Sequence, residues 1–222
     1  MSMPGAAPPR VFALADIAAT PWKNGGGLTR EIAVWPPGAG MDDFDWRVSV
    51  ADIAADGPFS AFPGIDRQIV LLSGAGVRLC ADDGSFDHAL TDAGEPFAFC
   101  GETGVQATLV DGATRDFNVM TRRGRCRARL VPRRGPFALD GGPQAVLLLA
   151  VAGRWLAAGE DGAAPQASTA AFELAAGSGW LLAGDSRSGR LALRPDPADP
   201  AQAPGVPLCL QLTMEPEPET ES

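Results

Sequence analysis

The strongest constraint in this sequence is a two-residue rhythm that never runs long. In FDWRVSVADI, Phe44, Trp46, Val48 and Val50 alternate with Asp45, Arg47, Ser49 and Ala51. The two sets therefore point to opposite faces of an extended strand. RQIVLLSGAGVRLCADDG reads as a strand, a Gly-rich turn at SGAG and a returning strand. PFAFCGETGVQATLVDG gives two more short strands around a turn. DFNVMT continues the pattern, with Phe117 and Val119 on one side and Asp116, Asn118 and Met120 on the other. The 27 Gly and 20 Pro are spread along the chain, which favours many turns over long helices. No long helix is legible. The reading is all-β, in closed or double-layered form, with jelly-roll barrels as the natural candidate.

The rhythm returns after Val131. AVLLLAVAGRWLAA resembles IVLLSGAGVRLC, and GWLLAGDSRSGRLALR resembles PFAFCGETGVQATLV in layout. This weak similarity predicts two copies of one antiparallel β module. They are expected at residues 1–125, holding the ligand pocket, and 126–214, a degenerate copy, followed by an acidic flexible tail at 215–222. A stretch from Glu160 to Thr169 is expected to be a loop, and PLCLQLTM the final strand.

Charge and cysteines narrow the function classes. A net charge of −9 argues against nucleic acid as a partner. Residues Arg115 to Arg134 run against that balance, with eight arginines and one acid. They are expected either to pair with surplus carboxylates or to help bind an anion. Cys80, Cys100, Cys126 and Cys209 are far apart and form no Cys-x-x-Cys pair, which reads as reduced thiols in a reducing compartment. No signal peptide is evident, and no apolar run approaches the ~20 residues of a membrane span. A cytoplasmic protein without membrane contact is expected. His88 is the only histidine and lies in a turn-like segment, so neither a metal centre nor any other cofactor is expected.

The polar residues concentrate in the first half. Lys23 is the only lysine, and Asn24 and Asn118 are the only asparagines. In WKNGGG, three glycines let the backbone turn and expose N–H groups, Lys23 adds a point charge, and Asn24 offers donor and acceptor. The motif reads as a cradle for a carboxylate, or as a tight turn with Lys23 exposed. In WRVS, Arg47 and Ser49 share a face, either lining a barrel or standing in water. DGPFSAFPGIDRQI carries Ser60, Phe62 and Arg67 on a loop bracketed by Gly57-Pro58 and Pro63-Gly64, or is an ordinary turn pair. Asp116 either joins Asn118 in a site or pairs with a neighbouring arginine.

The motifs PWKNGGGLTREIAVWP, FDWRVSVADIAADGPFSAFPGIDRQIVLLSGAGVRL and DFNVMTRR, in that order, resemble those of the HutD/Ves family. The resemblance is dense from Val11 to Arg123. It implies a bicupin: two jelly-roll-like β-barrel modules in one chain, the first carrying the pocket. It nominates Trp22, Lys23, Asn24, Arg30, Trp46, Arg47, Ser49, Ser60, Phe62, Arg67, Asp116, Asn118 and Met120 as ligand-binding residues. It also implies a non-catalytic regulator of the HutD type, a brake on bacterial histidine utilisation that binds a small anionic metabolite such as formylglutamate or urocanate. Three alternatives stay open. One is a metal-independent cupin enzyme, an isomerase or hydrolase using Lys23 as a Schiff base or Glu31 or Asp116 as general base. Another is a stress-response protein of the Ves type. The last is a protein-interaction module using Arg122 to Arg134. A homodimer is compatible with any of them.

Overall fold

The computed structural model describes residues 9–139, 145–159, 172–182, 191–199 and 206–217. In chain order the strands begin with β1 (Arg10–Ala13), β2 (Thr20–Pro21), β3 (Gly27–Trp35), β4 (Trp46–Ile53) and β5 (Gly57–Phe59). There follow β6 (Ile65–Ser73), β7 (Val77–Ala81), β8 (Asp87–Leu90), β9 (Pro96–Cys100) and β10 (Val105–Leu109). Next come β11 (Thr114–Arg122), β12 (Cys126–Arg133), β13 (Phe137–Leu139), β14 (Ala145–Ala152) and β15 (Trp155–Gly159). The last are β16 (Phe172–Leu174), β17 (Ser178–Leu182), β18 (Leu191–Pro195) and β19 (Leu208–Pro216). The one helical element among the described residues is a single 3-10 turn, Leu14–Asp16. The chain is all-β.

Two compact units result. One comprises Ile17–Ala128 with Pro216–Ser222, the other Met1–Asp16 with Arg129–Glu215. The first holds a six-stranded sheet, β2-β3-β4-β11-β6-β9, and a four-stranded sheet, β5-β10-β7-β8. The other holds β1-β17-β14-β19-β12 and β13-β18-β15-β16. Each is a jelly-roll-like barrel of two antiparallel sheets. The pairings repeat with an offset of eight strands: β4–β11, β11–β6 and β6–β9 return as β12–β19, β19–β14 and β14–β17. Likewise β5–β10–β7–β8 returns as β13–β18–β15–β16.

This division differs from the expected 1–125 and 126–214. Strand β1 pairs with β17, Val11 opposite Trp180, so the N-terminal strand completes the edge of the later barrel. The acidic end is also not free from residue 215. Strand β19 continues to Pro216, and Glu217 accepts hydrogen bonds from the Gly124 amide at 2.7 Å and Arg127 Nε at 2.5 Å. The loop expected at Glu160 to Thr169 lies outside the described residues.

The SGAG segment does not make a hairpin. Strands β6 and β7 belong to different sheets, and the turn carries the chain across the barrel. Gly74 and Gly76 have φ of 102° and 114°, and a Cβ there would lie 2.7 Å from Ala113 O and 2.4 Å from Leu90 O. Only glycine fits such backbone contact at positive φ. His88, expected in a turn, lies in β8 with its ring stacked on Phe97 at 4.0 Å between centroids.

Alternation explains the cores. Ile69, Leu71, Val77, Leu79, Leu90 and Val105 fill the interior of the first barrel between its sheets. Val146, Leu148, Trp155, Trp180, Leu193 and Cys209 fill the second. Each buried aliphatic side chain of this size contributes roughly 1.5–3 kcal/mol. In the first barrel the apolar filling stops short of one end, and there the fold leaves a cavity.

Candidate functional site

The cavity has a volume of about 600 Å³ and is lined from β3, β4, β5, β6, β11 and the Thr20–Asn24 segment. Its floor is a grid set by strand register. Arg47 on β4 and Arg67 on β6 both lie opposite Met120 on β11, forming one row. The next row runs Glu31, Ser49, Asn118, Ile69 across β3, β4, β11 and β6. A further row holds Thr29, Ala51, Asp116 and Leu71. Period-two alternation turns all of these toward the barrel interior.

Arg67 is the chemical centre. It is only 5% exposed, yet it takes part in none of the ion pairs among the described residues. Its guanidinium carbon lies 5.1, 5.7 and 5.0 Å from the ring centroids of Phe59, Phe62 and Phe99. Desolvated cation–π contacts of this kind contribute about 2 kcal/mol each. Its Nη1 donates a long hydrogen bond, 3.5 Å, to Ser60 O, and Nε has no partner. Burial, and then the nearby charge of Arg47, lower its pKa to about 10, so it stays cationic at neutral pH. A buried cation held this way lacks an anion.

Arg47 differs. Its Nε donates to Glu31 Oε2 at 2.7 Å, at the more open side of the cavity. Asn118 lies between the strands of the two arginines, with its Oδ1 buried and unpartnered. Trp22 lines the wall with its indole N–H donating to Thr29 Oγ1 at 2.7 Å. Lys23, Asn24 and Ser60 are exposed members of the lining, Phe62 is half-buried, and Ser49 and Met120 line the buried interior.

Three nominated residues are not in the lining. Arg30 points the other way on β3 and, with Arg115, holds Asp52 on the opposite face of the sheet. Burial pushes the Asp52 carboxyl up, but the hydrogen bonds and charges of Arg115 and Arg30 outweigh it and hold the pKa below its usual value. Trp46 also faces away, stacked on Trp35 with centroids 6.3 Å apart. Asp116 shares the inward face of Asn118 but is fully buried and, unlike Thr29 and Ala51 of its own row, is not in the lining. It is not paired with an arginine: Thr114 Oγ1 donates to its Oδ2 at 3.1 Å, and Oδ1 has no partner.

The glycine run also behaves differently from an anion cradle. Gly25 N–H donates to Trp22 O at 3.0 Å and Gly26 N–H to Asn24 Oδ1 at 3.0 Å, so these donors close the turn itself. Gly25 is at φ 72°, and a Cβ on Gly27 would lie 2.4 Å from Asp52 O. The run lets β3 approach β4. The Arg-rich segment is likewise engaged internally. Arg122 donates to the carbonyls of Phe44 and Asp42, and Arg123 pairs with Asp66 and Glu102.

The donor set does not fit a divalent metal. The described lining offers three cations, amides, hydroxyls and one carboxylate engaged by Arg47, with no histidine. What it fits is an anion.

A profile of the HutD family matches residues 14–196. The chain belongs to the HutD family. Among relatives, a protein named Ves from Cronobacter sakazakii is 47% identical over 110 residues, 49% of this chain and 58% of that protein. The chain thus spans little more than half of that relative's length. An uncharacterized 21.2 kDa protein in the hutC 3′ region of Pseudomonas putida is 44% identical over 135 residues, covering 61% and 70% of the two chains. The solved structure of HutD from Pseudomonas fluorescens SBW25, in a formate condition, has a TM-score of 0.75 and 30% identity, covering 95% and 100%. A cupin 2 conserved barrel domain protein from Leptotrichia buccalis has a TM-score of 0.55 at 10% identity, covering 98% and 100%, a likeness of fold alone. The bicupin architecture of this HutD-family chain agrees with both.

Several residues around the site are not singled out by the sequence. Phe59 lines the cavity inside the DGPFSAFPG motif, and Phe99, which packs on Arg67 from outside the lining, reads as an ordinary apolar strand residue. Thr29 and Glu31 are recoverable from the alternation of LTREIAVW, but which face of that strand looks inward is set by β4.

Proposed function

We propose that this chain is a non-catalytic small-molecule-binding regulator of the HutD type. It binds a small carboxylate, formylglutamate- or urocanate-like, and restrains histidine catabolism. The observation that carries the reading is Arg67, a buried guanidinium with no carboxylate partner, opening on a cavity of about 600 Å³. A carboxylate ligand supplies the missing charge through charge-assisted hydrogen bonds. Arg47, Ser49 and Asn118 supply further donors, and Lys23 at the rim adds long-range attraction. The P. fluorescens HutD structure belongs to a formate condition, and formate is the smallest carboxylate. The P. putida relative is named for its place beside hutC, in keeping with a role in histidine utilisation. A cytoplasmic setting accords with four free cysteines. The enzymatic alternative has less support, because Asp116 lies outside the lining, Lys23 stands exposed at the rim, and Glu31, though in the lining, is engaged by Arg47. A stress role, as in Ves-type relatives, would use the same cavity.

Isothermal titration with formate, formylglutamate, urocanate and glutamate tests the binding. Saturable binding of at least one is expected, weakened tenfold or more by Arg67→Gln with folding retained. No binding of any of the four to the wild type, or equal binding by the variant, would overturn the reading. The regulatory part is tested by growth on histidine in a host lacking its own copy, complemented with wild type or Arg67→Gln. Equal control by both would reject it.

A further inference from the structure

We infer that Glu31 is the specificity-determining residue of this cavity, selecting a carboxylate ligand that also carries an N–H donor about one strand row from the carboxylate. The inference deepens the carboxylate-binding reading and rests on it.

Glu31 is the one carboxylate among the described lining residues. Were its role only to neutralise the cavity, it would stand beside Arg67, whose burial makes an unpaired charge most costly. It stands instead beside Arg47, with its own side chain 45% exposed. The pairing is a single contact, Arg47 Nε to Glu31 Oε2, and not the two-point fork that arginine and carboxylate make when neutralisation is their whole purpose. Oε1 of Glu31 and both Nη atoms of Arg47 therefore have no partner among the described residues.

Register places these open groups in two ranks. Arg47 and Arg67 share the row of Met120 and offer donors to a carboxylate. Glu31 and Asn118 share the row of Ser49 and present acceptors of two kinds: the buried Oδ1 of Asn118, which has no partner, and the half-exposed carboxylate of Glu31, of which only Oε2 is engaged by Arg47. A bulge in β3 between Glu31 and Ala33 takes up one residue, so that Glu31 stays aligned with Ser49 while Val34 pairs with Arg47. Rows on one face are two residues apart, about 7 Å along the strands. One rank of donors beside one rank of acceptors describes a ligand with a carboxylate at one end and an N–H at the other. A simple carboxylate would meet the first rank, leave the buried Oδ1 of Asn118 unpaired and forgo the charge-assisted hydrogen bond that an N–H would make to Glu31.

Titration calorimetry with a matched pair tests this. N-acetyl-β-alanine carries a carboxylate and one N–H; its N-methyl counterpart replaces that N–H by N–CH3; formate reports carboxylate binding. Wild type is expected to prefer the N–H probe about tenfold or more. Glu31→Ala should reduce that preference to within about threefold while formate binds as well as before or tighter, because Arg47 is freed. Glu31→Gln, which keeps the side-chain shape, should give an intermediate preference and guards against a folding defect in the Ala variant. If formate binds but wild type does not discriminate, or if both variants discriminate like wild type, the role of Glu31 is refuted and the carboxylate reading stands. If nothing, formate included, binds the wild type, both fall together.

Discussion

Asp116→Asn isolates the energetic consequence of burying a carboxyl group outside the cavity lining. Asp116 is 0% exposed, its Oδ1 has no partner, and Thr114 gives it one hydrogen bond. Burial, which the Thr114 hydrogen bond only partly opposes, raises its pKa from 3.8 to about 7, with the charge of Asp52 adding to the rise. Below pH 4 the carboxyl is protonated in both folded and unfolded chains, and the site exerts no pH-dependent penalty. Between pH 4 and 7 the folded chain keeps its proton while the unfolded chain loses it, so stability falls as pH rises, by about 1.4 kcal/mol per unit. Above pH 7 the loss levels off at roughly 4 kcal/mol. The amide that replaces the carboxyl in the variant cannot ionise. The stability gained by Asp116→Asn, measured by urea unfolding from pH 4.5 to 8.5, should therefore grow with pH and flatten near pH 8. Every other titrating group cancels in the difference between the two proteins. A difference that is flat across the range, or shrinks as pH rises, would refute the assignment of a protonated, desolvated carboxyl.

Arg67→Met should abolish carboxylate binding yet leave the empty protein as stable as wild type, or up to about 3 kcal/mol more stable, because an unpaired buried charge gives way to an apolar chain of similar length; thermal unfolding without ligand checks this. Gly27→Ala should destabilise by roughly 2–4 kcal/mol, since its Cβ would meet Asp52 O at 2.4 Å. Gly25→Ala, with open space but φ of 72°, should lose only about 1 kcal/mol, so the two unfolding midpoints should separate clearly. Arg30→Ala breaks a partly exposed ion pair on the far face of the sheet and should change stability by under about 1 kcal/mol, with ligand affinity in calorimetry unchanged.

What the sequence makes legible follows from what a strand's alternation encodes. FDWRVSV and DFNVMT assign each residue to one of two faces, and Arg47, Ser49, Asn118 and Met120 do share one. Alternation does not say how far along the barrel a residue lies. Asp116 has the parity of Asn118 yet stays out of the lining, although Thr29 and Ala51 of its own row are in it. Nor does it say which strands become neighbours. Arg67 and Phe99 meet because β6 pairs with β9, some thirty residues apart, and the RQIVLL motif holds no trace of that. Rarity is a mixed guide. Lys23 and Asn118 do line the cavity, but Asn24 gives its Oδ1 to the turn, so part of the WKNGGG signal is backbone geometry. The swap of β1 into the later barrel has no local signature at all, since an edge strand is defined by its partner.

The duplication sets matching positions of the two barrels side by side. In the second barrel the interior face of β14 presents Val146, Leu148 and Ala150, wholly apolar, where β6 presents Arg67, Ile69 and Leu71. Strand β19 places Gln211 opposite Leu148, in the topological position that β11 gives to its polar residues. There the amide is used: Arg133 Nε donates to Gln211 Oε1 at 2.9 Å, and the same guanidinium rests over the Phe137 ring at 5.2 Å. An arginine, an amide and a phenylalanine thus meet in the second barrel, with one hydrogen bond joining the arginine to the amide oxygen. In the first barrel Arg67, whose strand β6 is matched by the apolar β14, has no ion-pair partner, and the Oδ1 of Asn118, the counterpart of Gln211, has no hydrogen-bond partner, although the fold buries both groups. Satisfying such groups internally is the cheaper outcome for folding. On the reading proposed above, an external partner takes up what is left open, and its chemistry matches that polarity: a cation first and an acceptor beside it.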